Sequence, residues 1–374
     1  MRILIAGDLS LQNRAAQCQW DERQTNKSFA GVRRKVFECD SAIVNLESPI
    51  TDCISPLLKD GPTLKNSTFA LNIINSCGFR AVTLANNHLK DYGSQGVTDT
   101  IKACKENGIL TVGAGECLAD ARRPMILEKD GLKIGILNVC EHESSVSTAS
   151  TAGAAPLELA NLFYDIRTLR MEVDKVIVII HGGCEHYQLP TPRMKRDYHL
   201  IADFGADVIV NHHQHCYSGF ETYNSVPIFY GLGNFFFDNP KKRHDKWNEG
   251  LLLELEITKD EIRFELIPYN QCDVDPVIMI REYEEVKDKI EEMNAIIADD
   301  NLLNEQFDRL VASKKPLYPF LPYGNHYLRA LYNRGFLPDC MSVHRKVKIE
   351  NAINCETHRE VLQKYFENSL DTKQ

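Results

Sequence analysis

The sequence lacks the patterns that would place the protein in a membrane or on nucleic acid. Its longest apolar run, Val176–Ile180, has five residues, whereas a membrane span needs about 20. The opening MRILIAGDLS passes from a short apolar run directly to Gly7 and Asp8, so no ordinary secretory signal is expected. The formal net charge is −9, from 43 basic and 52 acidic residues. Non-specific nucleic-acid binding needs a basic surface, so no such partner is expected.

Closely spaced cysteine pairs are also missing. Twelve cysteines are scattered along the chain and none forms a Cys-x-x-Cys pair, which argues against a zinc ribbon or a thioredoxin motif. Scattered cysteines in a large chain are typical of a reducing compartment, so we expect free thiols and a cytoplasmic location. The 374 residues are 43% hydrophobic and 25% charged. These are ordinary values for a globular protein of two or three domains, or of one large domain with an appendage.

What the sequence does contain is an alternation of strand-like and helix-like segments over its first 270 residues. Ser41–Leu46, Lys133–Val139 and Val176–Ile180 have the length and composition of buried strands. Phe69–Cys77 has helical spacing and is followed by Gly78, a residue favoured just after a helix. This alternation, with short glycine turns, predicts an α/β fold built on stacked parallel strands.

The pattern changes near residue 270. Gly250–Ile257 and Glu261–Pro268 flank a short turn and predict an antiparallel hairpin. Beyond it, helical spacing of apolar residues predicts a helix from Tyr283 to Ile297, with further helices over Leu302–Val311, Tyr323–Tyr332 and Lys346–Phe366. We therefore predict a main domain over residues 1–270 and a helical C-terminal extension over residues 271–374.

Polar side chains follow the predicted strands at the points where the strands end. They are Asp8; Asn45 and Glu47; Asn86, Asn87 and His88; Glu141, His142 and Glu143; His181; and His212, His213 and His215. The carboxyl ends of strands in an α/β sheet form the usual ligand-binding edge, so these side chains are expected to converge. Imidazole nitrogen with carboxylate and amide oxygen suits Zn, Mn, Fe or Ni. Alternation along an extended segment would put His213 and His215 on one side, with His212 pointing away.

The motifs and their order resemble the bacterial CapA family. GDLS, VNLESPIT, LANNHLKDYGSQGV, VGAG, HGGCEHYQLPTP and GADVIVNHHQH with YGLGNFFFD follow one another over roughly residues 1–240. That family is associated with capsule or poly-γ-glutamate synthesis and has a calcineurin-like metallophosphatase fold. The resemblance implies a four-layer αββα sandwich, with two mixed sheets face to face and helices outside. It also implies one or two divalent metal ions, such as Mn, Zn, Fe or Ca.

The resemblance further implies roles for individual residues. The implied metal ligands are Asp8, Glu47, Asn87, His181, His213 and His215. His88 and Glu185 correspond to the groups that would move protons. Substrate binding or support of the ligands is expected from Asn45, Asn86, His212 and Asn234.

Several positions depart from the phosphatase or family pattern. Ser10 stands where phosphatases carry the histidine of an Asp-x-His motif, and Asn45-Leu46-Glu47 replaces their GDxxD-type motif. One metal position is therefore expected to have lost a ligand. Gly182 replaces the tryptophan of the usual His-Trp-Gly turn, which removes an aromatic wall.

These features favour a metal-dependent hydrolase. The implied substrate is a small molecule, peptide or polymer carrying a phosphate ester or a γ-glutamyl or peptide-type amide, in capsule or cell-envelope polymer biosynthesis. Two alternatives stay open: metal-assisted acid/base chemistry of the epimerase type on a peptide, and a non-catalytic accessory subunit of polymer synthesis. The polar residues at every strand end favour an enzyme, because a purely structural metal site is closed and four-coordinate.

Overall fold

The computed structural model describes residues 1–18, 20–314, 327, 330–331, 334–337 and 342–371. In chain order the strands are β1 (Arg2–Ser10), β2 (Ser41–Leu46), β3 (Ala81–Thr83), β4 (Leu110–Val112), β5 (Ala114–Gly115), β6 (Met125–Lys129), β7 (Leu132–Cys140), β8 (Gly153–Ala154), β9 (Lys175–His181), β10 (Val208–His212), β11 (Phe220–Tyr223), β12 (Val226–Phe229), β13 (Asn234–Phe237), β14 (Glu249–Ile257), β15 (Ile262–Gln271) and β16 (Ile278–Ile280). The helices are α1 (Asn13–Gln17), α2 (Glu22–Phe37), α3 (Phe69–Cys77), α4 (Gly93–Glu106), α5 (Leu118–Ala121), α6 (Leu159–Leu169), α7 (Pro192–Phe204), α8 (Lys287–Ala298), α9 (Asp300–Lys314), α10 (Val343–Asn354) and α11 (Glu356–Asp371).

The first sheet has eight strands, and β1 lies at its centre. The order is β16-β15-β14-β1-β2-β3-β4, with β13 pairing beside the second half of β1. β14 runs antiparallel to β1 over Arg2–Ile5, and β13 runs parallel to it from Asp8 onward. The pairing of β1 with β2 is irregular between Ala6 and Asp8. Asp8 therefore lies where β1 exchanges one neighbour for another, a local irregularity of the kind that re-aims side chains near binding sites.

The second sheet has six strands in the order β11-β12-β10-β9-β7-β6. Its central strands β12, β10, β9 and β7 are parallel, while β11 and β6 pair antiparallel at the edges. The carboxyl ends of β9 and β10 lie at the same side of the molecule as those of β1 and β2, because polar residues from these four ends are in mutual contact. A small third sheet joins β5 and β8.

Side-chain alternation assigns the two faces of β1 to two different hydrophobic cores. Ile3 and Ile5 pack in one core with β7, β9 and β10 of the second sheet, and the helices α6 and α7 close the far side of that sheet. Leu4 and Ala6 point the other way and pack in a second core with α2, α3 and α4. The layers are thus helices, sheet, sheet, helices, which confirms the expected αββα sandwich.

Most elements match the sequence predictions, with a few corrections. β2 and α3 have the predicted bounds, and Gly78 ends α3 with a φ of 93°. α7 begins at Pro192, because Thr191 accepts a hydrogen bond from the Met194 N–H and caps the helix. The sequence patterns did not predict α2 or the strand β16. The helix predicted over residues 323–332 lies largely outside the described residues, and the domain division at residue 270 stays a prediction.

Two sequence expectations concern the whole chain. None of the helices among the described residues has the length and apolar character to span a bilayer. The cysteines of the described part form no disulfide with one another, and Cys340 lies outside that part.

A substitution at Gly7 tests how closely β1 packs against the loop before β13. A Cβ at Gly7 would lie 1.8 Å from the carbonyl oxygen of Gly233. We expect Gly7→Ala to lower the free energy of unfolding by about 3 kcal/mol, since this backbone atom cannot move aside cheaply. The control is Gly31→Ala in α2, where the nearest atom is 3.4 Å away and helix propensity favours alanine by about 0.5–1 kcal/mol. Urea denaturation measures both, and equal effects would contradict the packing.

Candidate metal centre

Strand ends from both sheets meet in one buried cluster. The first sheet contributes Asp8, on β1, and Glu47, just after β2. The second contributes His181, the last residue of β9, and His213 and His215, just after β10. Each of these five residues is at most 5% exposed. The predicted convergence of these side chains is therefore present, and it spans the interface between the two sheets.

The side-chain atoms form two overlapping groups that could each hold a cation. One group is Asp8, Glu47 and His215, and the other is Glu47, His181 and His213. Within each group one nitrogen or oxygen atom per residue lies within 4.8 Å of the others. Glu47 belongs to both groups, so its carboxylate is placed to bridge two ions. Ser10 stands where a histidine ligand would be expected, and it hydrogen bonds to Ser48. Each group nevertheless keeps three candidate donors.

Glu47 is the least satisfied member of the cluster. Both of its carboxylate oxygens are buried without a hydrogen-bond partner among the described residues. Its Oε1 lies 3.8 Å from His215 Nε2 and 4.0 Å from His181 Nε2. Burial, followed by the nearby Asp8, raises the pKa of Glu47 well above its usual value. A buried carboxyl without donors is stabilised by a proton or by a cation, so this donor set fits a metal.

The imidazoles are in the form that metals bind. Burial lowers the pKa of His181 well below its usual value, and it also lowers the pKa of His213. Both rings are therefore neutral at pH 7 and offer lone pairs. His181 Nε2 is 3.1 Å from His213 Nδ1 and 3.1 Å from Asn87 Oδ1. Asn87 thus lies beside the His181 group, and its role as a ligand stays a prediction.

Three asparagines hydrogen bond to the candidate ligands or to the residues next to them. Asn45 Nδ2 donates to Asp8 Oδ1 at 2.7 Å. Asn234 Oδ1 lies 2.9 Å from His215 Nδ1, which leaves Nε2 of that ring directed toward Glu47. Asn86 accepts from the His88 N–H at 3.1 Å and donates to the Leu46 carbonyl. Such outer contacts fix the orientation of ligands.

His88 is held by two residues that the sequence patterns did not single out. Its Nδ1 is 2.7 Å from Asp91 Oδ2, and Lys59 Nζ donates to Asp91 Oδ1 at 2.6 Å. The His88 Nε2 atom faces Glu47 Oε1 at 4.0 Å. Asp91 lies three residues after His88 within the LANNHLKD motif, so this spacing was an available signal. Lys59 had no local signal.

The backbone around the last histidines corrects the reasoning behind their prediction. β10 ends at His212, and His213 and His215 have φ values of 89° and 55°. Their imidazoles therefore reach the cluster through left-handed turns rather than along an extended segment. His212 was expected to point away, but its Nδ1 lies 4.0 Å from Asp8 Oδ1. Burial lowers the pKa of His212 to about 3.

Two glutamates lie near the cluster with different environments. Glu185, the residue expected to move protons, is exposed. Desolvation raises its pKa, but interaction with the neighbouring histidines, foremost His215, outweighs that effect and lowers the pKa to about 2. Glu143 Oε1 lies 4.0 Å from His213 Nε2, and burial raises its pKa to about 7. Glu143, which the sequence indicated only as a strand-end residue, is thus suited to proton transfer near neutral pH.

Together, the layered fold and the two-group cluster define an αββα protein with a candidate binuclear metal centre at the shared edge of its sheets. The chain belongs to the family described as bacterial capsule synthesis protein PGA_cap, whose model matches residues 2–239. The family match confirms the resemblance drawn from the motifs.

Individual relatives extend the comparison. The chain is 34% identical over 171 residues to the capsule biosynthesis protein CapA of Bacillus anthracis, a match covering 44% of this chain and 42% of that protein. It is 29% identical over 275 residues to the PGA biosynthesis protein CapA of Bacillus subtilis (strain 168), covering 72% and 71%. A solved hypothetical protein from Thermus thermophilus is 12% identical, with a TM-score of 0.46, and covers 75% of this chain and 100% of that one. Because the first match spans 42% of the relative's length, the activity and partners of the complete relative are proposals for this chain.

The isolated carboxyl of Glu47 makes the free energy of unfolding of the metal-free protein depend on pH. A pKa raised by folding means that ionisation opposes folding, so stability falls as the pH rises above the usual glutamate pKa. In chelator at pH 7.5 we expect Glu47→Gln to raise the free energy of unfolding by about 1–3 kcal/mol, with the gain shrinking toward pH 4. Exposed Glu172 supplies the control, Glu172→Gln. Denaturant titrations at both pH values measure the effect, and destabilisation at pH 7.5 would refute the assignment.

Proposed function

We propose that the protein is a metal-dependent hydrolase with two divalent cations bridged by Glu47, acting in capsule polymer biosynthesis. The observation that carries the proposal is the buried Glu47 carboxylate, which has no donor among the described residues and lies between two histidine-containing groups. A closed structural site would instead have a single four-coordinate ion. The substrate would carry a phosphate ester or a γ-glutamyl or peptide-type amide.

The proposed ligands divide between two positions. Asp8 and His215 would hold one cation, His181 and His213 the other, and Glu47 would contact both. The amide oxygen of Asn87 lies beside the His181 position. Bound cations of this kind polarise a phosphoryl or acyl oxygen and lower the pKa of water.

Proton transfer is proposed for His88. The contact with Asp91 fixes its Nδ1, so that Nε2 faces the cluster. Burial, together with the charge of Lys59, lowers the pKa of His88, so the neutral ring can accept a proton at Nε2 and return it to a leaving group. Glu185, as implied by the resemblance, and Glu143, from its position beside His213, are the candidate second groups.

Metal stoichiometry tests the bridging role of Glu47. We expect wild-type protein purified without chelator to bind two Mn²⁺ per chain, and Glu47→Gln to bind at most one, because both positions share its carboxylate. Isothermal titration with Mn²⁺ and elemental analysis measure this. His199→Ala is the control, since His199 stacks on Tyr223 and contacts Glu221 instead of the cluster. Unchanged binding in Glu47→Gln would overturn the assignment.

Turnover tests whether the centre is catalytic. The probes are p-nitrophenyl phosphate and γ-glutamyl-p-nitroanilide, each with Mn²⁺-loaded protein. We expect His213→Ala to lower kcat by at least about 100-fold, since it removes a proposed ligand. Wild-type protein that binds two Mn²⁺ but turns over neither probe would favour the accessory-subunit alternative, and equal rates in both proteins would exclude this site.

Asp91 is expected to position His88 rather than contact substrate. Asp91→Asn should lower kcat by about 100-fold with little change in KM, because the His88 ring would lose its fixed tautomer. The acidic limb of the pH profile should also move, which a general loss of stability would not produce. Asp203→Asn, at a surface pair with Tyr223, is the control. An unchanged pH profile in Asp91→Asn would contradict the role of this pair.

A further inference from the structure

The C-terminal helix α11 lies outside the family match, yet its first turn is attached beside the metal centre. The attachment point is Glu141, which directly follows β7 and is 4% exposed. Its carboxylate accepts hydrogen bonds from Thr357 Oγ1 at 2.8 Å and from the Thr357 N–H at 3.3 Å. Arg193 pairs with the same carboxylate. Thr357 itself is 1% exposed, so the contact is buried from both sides.

Two further carboxylates of α11 attach it to neighbouring loops. Glu356 accepts from the His142 N–H at 2.7 Å and lies 2.5 Å from His142 Nδ1. Glu360 accepts from the Arg193 N–H at 2.9 Å and from Thr191. The helix is therefore bound both to the loop after β7 and to the start of α7.

This placement also brings the two C-terminal helices together. His358 follows Thr357 in α11. Asn351 of α10 is 3.2 Å from His358 Nδ1, which links α10 to the attached helix. The two helices thus form one wall over this side of the site.

A cavity of about 230 Å³ lies between α10 and the two loops that carry Lys59 and Glu143. Lys59 and Glu143 line its inner side, Ser144 lies next to them, and Glu350, Asn351 and Asn354 of α10 line its outer side. The inner side is continuous with the centre, because Lys59 Nζ is 3.4 Å from His88 Nδ1 and Glu143 Oε1 is 4.0 Å from His213 Nε2. Drug-sized ligands occupy about 300–1,000 Å³, so this cavity suits a single residue-sized group.

The lining offers mainly hydrogen-bond acceptors. The Lys59 ammonium is already bonded to the Asp91 carboxylate and to the Asn87 carbonyl, so it is not available to an anion. The carboxylates of Glu143 and Glu350 remain on the lining. Ser144 Oγ is buried and has no hydrogen-bond partner among the described residues. An ammonium or amide N–H group matches this lining, whereas a phosphate or carboxylate would face like charge.

We propose that α10 and α11 complete the active site and that this cavity binds the ammonium-bearing terminal unit of a peptide-type substrate. The proposal rests on the proposed function and narrows it, since it selects the amide over the phosphate ester. Because a cavity of about 230 Å³ suits one residue-sized unit, the end of a substrate chain rather than its middle would lie there.

Hydrogen–deuterium exchange of the full chain tests the attachment. We expect amides of residues 357–361 to be protected in wild type and to exchange about tenfold faster in Thr357→Val, which loses the Oγ1 contacts to Glu141 and Arg193. Arg359→Gln, at an exposed position of the same turn, is the control and should match wild type. Unchanged protection of β7 and β9 confirms that the variants are folded. Equal exchange in Thr357→Val and Arg359→Gln would overturn the attachment.

Ligand binding tests the cavity without relying on turnover. Calorimetry of the Mn²⁺-loaded full chain would use glycylglycinamide, its N-acetylated form and succinate. We expect glycylglycinamide to bind, the acetylated form to bind about tenfold more weakly, and succinate not to bind, because only the first carries an ammonium and no carboxylate. Asn354→Trp should abolish binding by filling the cavity. Ile353→Trp, at a residue of α10 that is 55% exposed and does not line the cavity, should not.

The outcomes separate this proposal from the proposed function. Equal binding to Asn354→Trp and wild type, a preference for succinate, or no glycylglycinamide binding to wild type would overturn the cavity assignment. A wild-type chain that takes up no Mn²⁺ would overturn the metal centre instead. The same titration on metal-free protein would then still report on the cavity, since its lining includes none of the proposed metal ligands.

Discussion

A carboxylate buried without hydrogen-bond donors is the constraint on which the rest of the site depends. Glu47 lies between two sheets, and the described residues give its oxygens neither an N–H nor an O–H. Isolated charge is strongly unfavourable in such a place, so the group must take a proton or face cations. The rings of His181 and His213 supply no positive charge, because burial keeps them neutral. Neutral imidazoles around an unsatisfied carboxylate form a donor set that fits a shared ion.

The fold meets this constraint by bringing together strand ends that are distant in sequence. β1 pairs antiparallel with β14 in its first half and parallel with β13 in its second, and Asp8 lies at the change. This exchange allows Asn234, the first residue of β13, to reach His215 of the other sheet. Gly7 permits it, because the backbone of Gly233 lies where a Cβ would be. The geometry of the metal centre thus depends on the backbone contact between Gly7 and Gly233 as well as on the polar side chains.

Local sequence patterns were sufficient to predict the site residues that lie at the end of a single apolar strand. The proposed ligands lie at or just beyond the ends of apolar runs, so SAIVNL indicated Glu47 and VIVII indicated His181. α2 was missed because its mostly polar sequence offers few apolar positions. The tail contacts could not be predicted, since Glu141 and Thr357 are 216 residues apart and neither has a periodic pattern that names its partner. The left-handed turns at His213 and His215 also escaped prediction, because these histidines follow a strand whose alternation suggests continued extension.

The loop after β7 contains two glutamates whose pKa values differ because their surroundings differ. Glu141 and Glu143 are two positions apart. Burial raises the pKa of Glu141, but Arg193 and Thr357 outweigh it and lower that pKa below its usual value, so this carboxylate is a fixed anchor for α11. Glu143 has no comparable partner among the described residues, and burial raises its pKa to about 7. Contacts with Arg193 and α11 keep Glu141 ionised as a structural anion. Glu143 lacks comparable contacts among the described residues and can exchange a proton. Because the anchor also accepts hydrogen bonds from Thr357, which lies beyond the family match, the extension and the centre are connected through this single loop.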